Sequence, residues 1–169
     1  MRVTDRREET VVYVAVCGPD PAPEGIAAQA ESVGRGLARA GAVLVCGGLG
    51  GAMEAAASGA AAEGGLVVGL LPGIDRSAAN DFVDVALPTG MGEMRNALIV
   101  RAADAVVAVG GEFGTLSEIA LALKAGKPVV GLGTWELTRG SGDAADEIVR
   151  VADSEEAVET ALRLARAAR

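Results

Sequence analysis

The fold turns on AVVAVGGEFGTLSE, residues 105–118. Ala105 to Val109 are five apolar residues bounded by glycine, too short for a helix and patterned as a strand buried on both faces. From Thr115 to Ala125 the chain reads as a helix. Gly110, Gly111 and Gly114 fall between them, so the stretch is a strand, a glycine-rich loop and a helix in direct succession.

The same unit recurs on either side. Val11 to Cys17 reads as a strand ended by Gly18-Pro19-Asp20-Pro21. A helix follows from Glu24 to Ala40, with Ile26, Ala27, Ala30, Val33, Leu37 and Ala40 at helical spacing and Gly41 as its stop. Val43 to Cys46 is a second strand, Gly47 to Gly51 a loop, and Ala52 to Ala62 an Ala-rich helix closed by Gly64-Gly65. Leu66 to Leu71 and Val83 to Leu87 are apolar runs of the fully covered strand type, ended by Pro72 and Pro88.

Beyond these, Glu93 to Ala103 predicts a helix, Val129 to Leu132 a strand, Gly133 to Asp146 a polar surface loop, and Ile148 to Val151 a short strand. The last helix starts at Asp153, with Glu156 three residues on as in a capping box. Val158, Ala161, Leu162 and Ala165 form its apolar stripe. Arg163, Arg166 and Arg169 suit its C-terminal dipole better than a nucleic-acid patch. Strand and helix alternate throughout. The predicted fold is therefore a single-domain, Rossmann-like α/β three-layer sandwich with a mostly parallel sheet over residues 11–169, preceded by a flexible N-terminus over 1–10.

Bulk properties narrow the function. The chain has 169 residues, one domain's worth, and only 2 % aromatic content, so its core is aliphatic and closely packed. A formal net charge of −8 argues against nucleic acid or an anionic membrane as partner. With no histidine, proton transfer falls to carboxylates and the commonest zinc ligand is missing, so neither a metal nor a resident cofactor is expected. Cys17 and Cys46 end apolar runs and read as buried reduced thiols rather than a disulfide or a nucleophile. No apolar run approaches the ~20 residues of a membrane span, and a cytoplasmic location is expected.

In an open parallel sheet the loops at the carboxyl ends of the strands share one edge, where ligands bind. Three glycine-bearing loops qualify: Gly18-Pro19, Gly47 to Gly51, and Gly110 to Thr115. Backbone N–H groups there, with the N-terminus of the next helix, hold a phosphate without net positive charge. The plainer alternative is that these glycines only make tight turns. Neither a Gly-Lys-Ser/Thr P-loop nor a complete dinucleotide fingerprint is present. Arg95 enters a helix and Glu118 lies one turn into the next. Each has an ordinary alternative, Arg95 as a surface partner of Glu93 or Asp104, and Glu118 as an acid favoured by the helix dipole.

Met-Arg-Asn at 94–96, Ala-Asp-Ala at 103–105 and Gly-Thr-Leu-Ser-Glu at 114–118 resemble the LONELY GUY (LOG) family, some members of which once carried a lysine decarboxylase label. The Gly-Gly-x-Gly-Gly-Ala-Met run at 47–53 and Gly-Lys-Pro-Val-Val at 126–130 are similar too, so the resemblance spans about Val11 to Leu132. Thr-Gly-Met-Gly ahead of Arg-Asn is most similar to a bacterial branch related to molybdenum cofactor carrier proteins. The resemblance implies an N-glycosidic hydrolase in the first place, with a binding or carrier protein as the alternative. LOG enzymes hydrolyse the N-glycosidic bond of AMP or cytokinin riboside 5′-monophosphates to base and ribose 5-phosphate, whereas carrier proteins bind molybdenum cofactor or a nucleotide without reaction.

By position, the resemblance makes Arg95 and Glu118 the catalytic pair. It makes Gly114 and Thr115 the phosphate-binding turn, and it adds Gly18, Gly47, Gly48, Gly51, Met53, Asn96, Gly110 and Gly111 to a nucleotide-binding cleft. Two departures stand out: Gly110 and Glu112 replace the Pro and the second Gly of the family's Pro-Gly-Gly-x-Gly-Thr, and Asn96 replaces a basic residue. The decarboxylase label finds no lysine in a pyridoxal phosphate context. The small-residue helix surfaces and the resemblance together lead us to expect a homodimer.

Overall fold

The computed structural model describes residues 10–143 and 147–168. The expected flexible N-terminus before Thr10, the loop end at Asp146 and Arg169 lie outside the described residues. Seven strands, β1 (Tyr13–Cys17), β2 (Val43–Cys46), β3 (Val67–Leu71), β4 (Val85–Pro88), β5 (Ala105–Val109), β6 (Val129–Leu132) and β7 (Val149–Arg150), form one sheet. Every pairing is parallel and the order is β4-β3-β2-β1-β5-β6-β7. Among the described residues the α-helices are α1 (Glu24–Arg39), α2 (Gly51–Ala62), α3 (Asn96–Ala102), α4 (Phe113–Lys124) and α5 (Ser154–Ala167).

Strand alternation assigns the helices to the two faces. Val14 and Val16 of β1 join the buried cluster formed with α1, α2 and α5, whereas Ala15 and Cys17 join the one formed with α3 and α4. Cys46 belongs to the first cluster and Cys17 to the second, so the two thiols sit on opposite faces of the sheet. Both are free and buried. No helix among the described residues is long and apolar enough to cross a membrane.

Two expectations need correction. Val83 to Leu87 does not form a covered strand: β4 spans Val85–Pro88 at the sheet edge with Val85 and Leu87 exposed, and Pro88 is tolerated there because an edge strand can forgo one N–H donor. The single helix expected over Glu93 to Ala103 is a 3₁₀ turn, Gly92–Arg95, running into α3. Of the small side chains of α2, Ala52, Ala56, Ala57 and Ala60 are buried in the α1–α2–α5 cluster.

The capping box at α5 forms as read. The Asp153 carboxylate accepts the Glu156 N–H at 2.9 Å, and the Glu156 carboxylate accepts that of Ala152 at 2.8 Å. The 133–143 part of the expected surface loop packs Trp135 and Leu137 onto the α3–α4 cluster.

Candidate functional site

β1 and β5 are neighbours, but the chain leaves β1 toward α1 on one face and β5 toward α4 on the other. The loops therefore part at their carboxyl ends, and a crevice opens at this switch point. A cavity of about 440 Å³ lies there. Gly18, Met53, Arg95, Asn96, Gly114, Thr115 and Glu118 line it, together with Asp20, Leu49, Pro72, Glu93, Phe113 and Ser117, which sequence reasoning did not select.

Arg95 is 8 % exposed, which overturns the surface-pair alternative. Its Nη1 donates to the carbonyls of Gly47 and Leu70, at the ends of β2 and β3, and its Nε to Asn96 Oδ1 at 3.2 Å. Asp104, the partner once conceivable, instead accepts the Tyr13 N–H at 2.8 Å. Burial lowers the guanidinium's affinity for its proton, while the charge of Glu118 works the other way. Asn96 Nδ2 donates to Ser117 Oγ, which donates to the Gly114 carbonyl, each at 2.8 Å. A continuous polar chain thus runs from Arg95 to the first turn of α4.

Glu118 is buried too, so it is not an ordinary solvated acid of a first helical turn. Burial pushes its carboxyl up to about 7, against the opposing pull of the Arg95 charge and of a hydrogen bond from the Cys17 thiol. Cys17 Sγ also lies 3.7 Å from the Val107 carbonyl, and burial raises its own pKa well above the ordinary thiol value. Cys46 is raised by burial to about 11. Neither cysteine is a thiolate at neutral pH.

The third loop ends in the start of α4. The first N–H bonded within that helix is Leu116's, to the Glu112 carbonyl at 2.9 Å, so those of Phe113, Gly114 and Thr115 precede the ladder, and no side chain caps them. Thr115 is 2 % exposed, and its Oγ1 is buried without a hydrogen-bond partner although the residue lines the cavity. A buried hydroxyl left unpaired is costly. Glu112 is exposed at the rim, where its carboxylate is solvated.

Gly47, Gly48, Gly51, Gly110 and Gly111 are not among the residues that line the cavity, and the structure shows what their missing side chains make room for. A Cβ on Gly47 would lie 2.6 Å from Arg95 Nη1, and one on Gly51 would lie 2.4 Å from the Pro19 carbonyl. One on Gly111 would lie 2.7 Å from the Trp135 ring. In the second loop, Gly51 has φ +62° and lets the loop close against Pro19, whose carbonyl accepts the Ala52 N–H. The groups that approach Gly47, Gly51 and Gly111 closely are protein.

A parallel sheet opened at a switch point, with a bare helix N-terminus on one lip and a buried arginine beneath, is the architecture of nucleotide-binding α/β proteins. Within that class the chain belongs to the SLOG cluster4 family, whose model matches residues 11–161, in the superfamily that includes LOG-like proteins. It is 47 % identical over 122 residues to an uncharacterized protein of Archaeoglobus fulgidus, covering 72 % of this chain and 80 % of that one. It is similar to the molybdenum cofactor binding protein of Rippkaea orientalis (TM-score 0.83, 33 % identity, 92 % of this chain and 98 % of that one). A similar match is the molybdenum cofactor carrier protein of Chlamydomonas reinhardtii (TM-score 0.80, 34 % identity, 92 % and 98 %).

Proposed function

We propose that the cavity binds a phosphate-bearing pterin or nucleotide, and that the chain serves as a binding or carrier protein for it, with molybdenum cofactor as the leading ligand. The observation that carries this reading is the unpartnered Thr115 Oγ1 beside the free N–H groups at the start of α4. A phosphate oxygen seated there satisfies the hydroxyl and the helix terminus together. Arg95 supports the reading. With Nη1 bonded to two carbonyls, it fixes the loop ends and adds positive charge to the cavity wall it helps to line.

The acids fit such a ligand. Asp20, Glu93 and Glu112 are exposed around the cavity, where carboxylates accept hydrogen bonds from ribose hydroxyls or from the ring N–H groups of a pterin. Among the described residues no group of three or more histidine, cysteine and carboxylate side chains could hold a metal ion.

A second reading, N-glycosidic hydrolysis of a nucleoside 5′-monophosphate, is favoured by Glu118. A carboxyl with a pKa of about 7 in a cavity beside an arginine is poised to exchange a proton with a leaving base or a water molecule near neutral pH.

One experiment separates the two. Purified protein is extracted for bound pterin or nucleotide by mass spectrometry, then incubated with AMP while released adenine is followed by chromatography. Binding without base release is the expected result, with Thr115→Val weakening AMP about tenfold through loss of a charge-assisted hydrogen bond. Steady base release by the wild type, abolished in Glu118→Gln, would establish hydrolysis instead. Unchanged AMP affinity in Thr115→Val would remove the phosphate site.

A further inference from the structure

The chain has four aromatic residues, two Phe, one Tyr and one Trp, and two of them meet at the cavity. Phe113, the first residue of α4, lines it while remaining 76 % exposed. Its ring centroid lies 5.8 Å from that of Trp135, with the planes tilted by 38°. The indole is itself held from several sides. Its Nε1–H donates to the Glu112 carbonyl at 3.2 Å, and the Trp135 carbonyl accepts from Arg150 Nη2 at 3.0 Å. Trp135 also packs against the α3–α4 cluster, and the bare backbone of Gly111 leaves the space its ring occupies.

A large apolar side chain that is braced yet uncovered forgoes the gain of burial. Here it does so beside the N–H groups assigned to phosphate. Aromatic faces in such positions take planar π-systems by offset stacking, whatever the identity of the ring. The remaining apolar lining, from Pro19, Leu49, Met53 and Pro72, has no flat π-surface, so Phe113 is the aromatic face the cavity offers.

We propose that Phe113, braced by Trp135, is the platform on which the heteroaromatic ring of the ligand stacks, so that this residue distinguishes a ring-bearing phosphate from a bare sugar phosphate. The inference rests on the reading of the cavity as a phosphate-ligand site and adds to it the element that recognises the ring.

Calorimetric titration of wild type, Phe113→Ala and Phe113→Tyr with AMP, GMP and ribose 5-phosphate tests it, because the last ligand keeps the phosphate and sugar without the ring. Wild type is expected to bind at least one nucleotide about tenfold or more tighter than ribose 5-phosphate. Phe113→Ala should lose most of that advantage at unchanged ribose 5-phosphate affinity, and Phe113→Tyr should keep it. Because Phe113 is exposed, the thermal midpoint of Phe113→Ala should stay close to that of the wild type. Ribose 5-phosphate binding with no ring advantage, or an advantage that survives in Phe113→Ala, overturns the platform alone. Failure of all three ligands to bind overturns the phosphate-site reading together with it.

Discussion

A carboxyl that keeps its proton to about pH 7 alters the stability of the whole molecule. In an unfolded chain Glu118 titrates near ~4.3, and in the folded one near 7. Between these values the native state holds a proton that the unfolded state has released, so stability falls as pH rises through that window and levels off above it. The contribution is fully present below the unfolded pKa and is lost as pH passes the folded one. Glu118→Gln carries no such proton. Relative to wild type, it should therefore gain stability in urea unfolding by roughly 3 kcal/mol between about pH 4.5 and pH 8. A difference that stays flat with pH would mean that the carboxyl is solvated. Nothing in the sequence around residue 118 announces this shift, because it arises from burial that only the assembled fold creates, and it outweighs the opposing pull of Arg95 ahead of α3 and of Cys17 on β1.

At the scale of elements, α1 and α2 cross closely on one face of the sheet. A Cβ on Gly34 of α1 would lie 2.0 Å from the Ala56 carbonyl of α2, and one on Gly59 of α2 equally close to the Glu31 carbonyl of α1. A glycine inside a helix ordinarily costs about 1 kcal/mol against alanine, yet here the exchange would push two backbones apart. Gly34→Ala should lower stability by about 1–3 kcal/mol, as overpacking does. Gly25→Ala, where nothing lies within 4 Å, should be neutral or mildly stabilising. Parallel urea denaturation of both variants checks this, and an unharmed Gly34→Ala would show that the helices separate easily.

The same elements show what was legible in the chain. Helical spacing from Glu24 and the alanine run from Ala52 were local signals, and α1 and α2 begin within a residue of where they were read. The segment around Arg95 was misread because its turn is set by contacts distant in sequence, the carbonyls of Gly47 and Leu70. In β4, exposure depends on being the last strand of the sheet, which no local pattern encodes.

For the whole molecule, charge and topology act together. With a net charge of −8 the surface repels polyanions, and the site proposed for phosphate depends on helix N–H groups confined to one crevice. A labelled single-stranded oligonucleotide should show no change in fluorescence anisotropy with this protein at physiological salt, and saturable binding would overturn that expectation. The location of the crevice was legible, since Gly18 and Gly114 end up on its two lips, whereas Phe113, Asp20 and Pro72 emerged only once three loops were brought to one edge.

The position of Trp135 has a practical consequence. It is the chain's only tryptophan, so all indole emission comes from one ring, fixed 5.8 Å from Phe113 at the cavity mouth. A molecule settling against Phe113 changes the polarity and contacts around that fluorophore. The native protein therefore carries its own optical reporter, and candidate ligands can be screened by intrinsic emission with no label attached.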